Sequence, residues 1–174
     1  LGALIAIALI CASSLLAAQD TTTTPGVRLG LNYQSGVKPG VIVLPVVDDD
    51  VDSIRTIIQR DLDYSDRINV IDLDRETLSG MAPAPGQKIN FPLFAKFGAA
   101  VLVRMTPTSQ GLHVAAYDVE HGQLLQSEHF LFDRRDRDWR FALHGISDQI
   151  EQWMFGKRGI AATRIAYVIN GELR

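Results

Sequence analysis

Two aliphatic runs limit what this chain can fold into more than any other feature: "VIVLPV" at Val41–Val46 and "AAVLV" at Ala99–Val103. A strand with one face in water alternates apolar and polar side chains. These runs have no polar position to expose, the pattern of strands buried on both faces. A sheet built around them needs cover, and the intervening segments supply it. Val51, Ile54, Ile57, Ile58 and Leu62 recur at intervals of three and four, which puts one apolar stripe on a helix, and Asp48, Asp49 and Asp50 precede it where carboxylates suit the helix dipole.

Further along, Ile68–Ile71 reads as a short second strand, and the segment 80–87, with two prolines, reads as a loop. Asn90 is placed to cap a short helix whose buried side is Phe91, Leu93, Phe94 and Phe97, with Gly98 to end it. Leu112–Val119 and Leu124–Phe132 form an antiparallel hairpin about His121-Gly122. In the last helix Trp139, Leu143, Ile146, Ile150 and Trp153 repeat at four, three, four and three. Asp136 or Asp138 is its cap and Gly156 its stop. The order β, α, β, α, β, β, β, α gives an α/β, α+β-like fold, a mixed sheet flanked by helices on one side or both.

The ends read differently. Residues 1–18 carry no charge, and Ala17 and Ala18 suit signal-peptidase cleavage, so 1–19 reads as a secretory signal peptide. A membrane anchor and a lipidated Cys11 are the alternatives. Ser13 and Ser14 interrupt the first, and Ile10, which is not small, counts against the second. Residues 20–26, "DTTTTPG", form a flexible spacer, after which Val27, Leu29 and Leu31 alternate with Arg28, Gly30 and Asn32 as in an edge strand. Thr163–Ile169 is β-prone and is followed by the hairpin dipeptide Asn170-Gly171 with only three residues beyond it. That pattern predicts a larger all-β unit of which this is the start.

Catalytic signatures are few. No Gly-x-Ser-x-Gly elbow and no glycine-rich phosphate loop follows any of these strands. His113, His121, His129 and His144 show no metal-ligand spacing, so no metal and no cofactor is expected. His113 and His129 lie on paired strands and read as a surface pair, while His144, beside Leu143, reads as a partly buried structural histidine. Asp48, Asp49, Asp50 and Asp52 lack the ligand spacing and turn glycine of a calcium loop. "DRRDRD" at 133–138 offers only surface ion pairs. A net charge of -3 gives no footprint for nucleic acid or an anionic membrane.

Ala142–Val168 resembles the domain junction of the TolB family, in which a helix of the form His-x-x-Ser/Ala-Asp-x-Ile ends at a glycine and leads into Thr-Arg-Ile-Ala-Tyr/Phe-Val. Upstream, Val27-Arg28, the strand at 41–46, "RDL" at 60–62 and a strand beginning "GA" and ending "TP", 98–107, resemble that family's amino-terminal domain in the same order. The resemblance covers nearly everything after Gly26. Phe155, where the family usually has threonine, and the tetrathreonine spacer depart from it.

The resemblance implies an amino-terminal α/β domain over 27–158 and the truncated start of a six-bladed β-propeller over 159–174, with Thr163, Arg164, Ile165 and Tyr167 at the domain junction. It also implies a periplasmic, non-enzymatic link in the Tol-Pal system between inner-membrane TolA and the peptidoglycan-associated lipoprotein. Such a link serves outer-membrane integrity and constriction during cell division; protein transport is an older label for it. The chain would have no membrane span once the signal is removed. Val27, Arg28, Leu29 and Leu31 match the positions that dock onto TolA, where their alternation suits strand addition; they equally suit an edge strand of this domain. The lipoprotein would bind the propeller. The alternatives are the amino-terminal part of a propeller-containing periplasmic peptidase, and a ligand-binding domain, for which the sequence shows no polar constellation.

Overall fold

The computed structural model describes residues 36–47, 53–83, 87–164, 168–169 and 172–173. Strand β1 (Gly40–Val43) is followed by α1 (Ser53–Tyr64), β2 (Asn69–Val70), α2 (Arg75–Met81), α3 (Phe91–Ala95), β3 (Val101–Thr108), β4 (Gly111–Asp118), β5 (Gln123–Leu131) and α4 (Trp139–Phe155). A short pair, β6 (Val168–Ile169) and β7 (Glu172–Leu173), comes last. The five longer-range strands form one sheet in the order β2-β1-β3-β4-β5. In it β1 is parallel to both its neighbours, and β3, β4 and β5 are antiparallel.

The aliphatic runs are buried on both faces, as expected. Val41 and Val43 of β1, with Val101, Val103 and Met105 of β3, face Ile54, Ile58 and Leu62 of α1 and Leu143, Ile146 and Ile150 of α4. Ile42, Leu44 and Leu102 point the other way, into a second cluster with Leu78 of α2 and Phe94 of α3. The helices therefore cover the sheet on both sides. Each fully buried aliphatic side chain adds about 1.5–3 kcal/mol relative to exposure. Gly40 is needed where β1 begins, because a Cβ there would lie 2.2 Å from the carbonyl oxygen of Gly98. Gly98 itself has φ +82°, the left-handed conformation expected after the short helix.

Several local expectations are corrected. Gly80 and Met81, expected in the loop 80–87, instead end a helix over Arg75–Met81, which starts where Asp74 accepts from Thr77 N at 2.8 Å and from Thr77 Oγ1 at 2.6 Å. Asn90 and Asp138 occupy N-cap positions, but neither side chain makes the capping bond. Phe97 is 41% exposed, because α3 ends at Ala95 and Phe97 falls in the turn beyond it. β1 stops at Val43 ahead of Pro45, although Leu44 N still donates to Val103 O at 2.9 Å. β3 runs five residues past the aliphatic stretch, through Thr108, paired all the way with β4.

The last helix keeps its stripe. Leu143, Ile146 and Ile150 are fully buried, Trp139 and Trp153 pack at its margins, and Gly156 ends it at φ +71°. β6 and β7 form an antiparallel ladder in a sheet of their own, which is consistent with the start of a propeller.

Candidate functional site

The two short segments that carry the family resemblance inside the domain, "RDL" on α1 and His-x-x-Ser-Asp-x-Ile on α4, fold against each other. Leu62 and Ile150 enter the shared core. Beside them Asp61, only 8% exposed, accepts from His144 Nδ1 at 2.6 Å and from Ser147 Oγ at 3.0 Å through one carboxylate oxygen. A carboxylate oxygen accepts, so Nδ1 is the donor and the His144 tautomer is fixed. This seam locks the rotation of α4 against α1.

One residue on, Asp148 is buried and holds the chain that leaves the helix. Its Oδ1 accepts from Ala161 N at 2.6 Å, its Oδ2 from Ala162 N at 3.1 Å, and its backbone oxygen from Gly159 N at 3.2 Å. Gly159 has no room for a side chain, since a Cβ would lie 2.7 Å from both Asp148 Oδ1 and Glu151 Oε1. Glu151, 2% exposed, accepts from Arg67 Nη1 at 3.1 Å, and the same guanidinium lies 4.2 Å over the Phe155 ring. Burial pushes the Glu151 carboxyl above its ordinary value; Arg67 opposes this and Asp148 adds to it.

After the Gly156 turn the chain runs back along α4. Gly159–Ala162 lie at the level of Asp148, and Arg164 stacks 4.7 Å over Phe141 with a guanidinium nitrogen 3.7 Å from Asp138, at the helix start. The arrangement can fix a direction: it sets where the chain departs from the helix. Arg55 does a similar structural job at the other end of α1. It donates to Val43 O at 2.9 Å and Leu73 O at 2.8 Å, which ties β1 to the segment before α2.

Of the residues expected at sites, Thr163 and Arg164 are exposed on this exit segment, while Ile165 and Tyr167 lie outside the described residues. Val27, Arg28, Leu29 and Leu31 also lie outside them, as do the segment 1–26 and the acidic cluster at 48–50 and 52. His144 is half-buried and hydrogen-bonded as expected, and His113 and His129 meet across β4 and β5. His121 pairs with Asp118 at 2.8 Å, a bond that holds its imidazole above the ordinary value.

Among the described residues no group of three or more His, Cys, Asp or Glu is placed to hold a metal, and no helix is long and apolar enough to cross a membrane. An open cleft of about 580 Å³ lies between the end of β1, the β3–β4 turn and 132–135; none of the buried polar residues lines it. The roles of Asp148, Gly159, Glu151 and Arg67 were missed in the sequence. Their signal was there in part, since His144, Ser147, Asp148 and Glu151 form a polar row beside an apolar helical stripe.

No family model matches the chain. It is 29% identical over 127 residues to the Tol-Pal system protein TolB of Sodalis glossinidius, and equally to that of Escherichia fergusonii, an alignment covering 68% of this chain and 28% of each relative. The crystal structure of TolB from Acinetobacter baumannii superposes with a TM-score of 0.58 and 27% identity, over 75% of this chain and 32% of that one. The chain thus spans less than a third of the length of the proteins it matches. Over that shared region both sequence and fold are similar to those of TolB proteins.

Proposed function

We propose that this chain forms the amino-terminal part of a periplasmic, non-enzymatic scaffold of the Tol-Pal system, joining a TolA-like inner-membrane protein to a peptidoglycan-associated lipoprotein. Its work is outer-membrane integrity and constriction during division. On this reading 1–19 is a secretory signal, 20–26 a spacer, 27–158 the amino-terminal domain and 159–174 the opening of a propeller that receives the lipoprotein. Val27, Arg28, Leu29 and Leu31 are the TolA-facing strand, and Thr163, Arg164, Ile165 and Tyr167 form the junction.

The observation that carries the proposal is the Asp148 clamp. It binds the exit segment to the same helix that the family resemblance picks out, and so favours a domain whose task is to hold a following module in a set direction. Buried charges spent on backbone amides suit a scaffold better than a reaction centre, where titratable groups are left free to exchange protons.

A genetic test separates this from an enzymatic reading. A strain lacking the gene should leak periplasmic marker enzymes and form chains of unseparated cells. The full-length gene should restore both properties, and a version lacking residues 27–31 should restore neither while accumulating to the same level. Normal envelope and division in the deletion strain would refute the proposal.

A further inference from the structure

The four histidines are of two kinds. His121 and His144 each have a carboxylate within 2.8 and 2.6 Å, whereas His113 and His129 have no hydrogen-bond or ion-pair partner among the described residues. They have each other. They are directly opposed in the β4–β5 ladder, with ring centroids 4.4 Å apart and planes inclined by 37°. Opposed residues of an antiparallel pair carry their Cβ atoms about 4.5–5.5 Å apart on one face, so strand register fixes this pair.

The surroundings leave the rings accessible. His129 is exposed on the edge strand and His113 is half-buried one strand in. Thr106 opposes His113 on its other side, and Ser127 precedes His129 by two residues on the same face. Both are small and leave room for water.

The geometry points to a cross-strand, two-imidazole site for a divalent transition-metal ion at His113 and His129, with copper(II) preferred over nickel(II) and zinc(II). Ring centroids 4.4 Å apart are close enough for one ion about 2.0–2.1 Å from a nitrogen of each ring to bridge them. Two protein ligands leave the remaining positions to water. The site therefore suits reversible capture of an ion and not permanent retention of a cofactor. It stands independently of the scaffold role.

The test is titration of the untagged full-length protein with copper(II), followed by calorimetry and by electron paramagnetic resonance. One equivalent should bind with nitrogen hyperfine structure from two imidazoles. His129→Gln and His113→Ala should each weaken that binding about tenfold or more, a loss of at least about 1.4 kcal/mol, and abolish the two-nitrogen signature. The exposed position of His129 keeps the test valid if His113→Ala perturbs folding. Equal affinity and an unchanged spectrum in the His129→Gln protein, or absence of binding by the wild type, would overturn the assignment.

Discussion

Asp61 and Asp148 are buried carboxylates doing different things, and single substitutions tell them apart. Asp61 serves side chains, His144 and Ser147, across the helix seam. Its replacement by Ala strands the His144 donor, leaves Ser147 only its 3.3 Å bond to Leu143 O, and should destabilise the domain by about 1–3 kcal/mol in urea unfolding. Asp148 serves the backbone of the departing chain, so Asp148→Ala should chiefly raise amide exchange at Ala161 and Ala162, with a smaller effect on the core. Gly159→Ala drives a methyl into both Asp148 and Glu151 and should cost about 1–3 kcal/mol.

Glu151 sets a pH dependence. Its folded value lies above the ordinary 4.5, so between the two values the folded state holds more protons than the unfolded state. Stability then falls as pH rises through that window and is flat above it. Glu151→Gln, which keeps an oxygen for Arg67, should flatten that slope in denaturation curves taken from about pH 4 to 7. An unchanged slope would assign it to another group.

At the level of elements, legibility followed burial. β1, β3, α1 and α4 were readable because their side chains see only apolar surroundings or one apolar stripe, and periodicity reports that directly. α2 was missed because only Leu78 is fully buried along it and Gly80 interrupts it; what starts it is the Asp74–Thr77 cap, a polar signal four residues long. Asp74→Ala should therefore cost about 0.5–2 kcal/mol, seen as early loss of protection in α2 by hydrogen exchange. The exit clamp was unreadable for a different reason. Asp148 and its amide partners are 13 and 14 residues apart, brought together by a reversal at Gly156 that sequence spacing does not encode.

For the whole molecule, the mixed sheet closes around two buried strands and hands the chain on along α4, which suits a domain that carries another. The shared region with TolB proteins is under a third of their length, so the proposed linking role is to be tested on full-length protein. The most direct measurement is calorimetric titration of the mature full-length protein against the soluble domains of the TolA-like protein and the peptidoglycan-associated lipoprotein from the same cell. The account predicts a saturable one-to-one complex with each, the first lost on deletion of residues 27–31 and the second retained. Failure to bind either partner, by protein whose folding is verified, would contradict it.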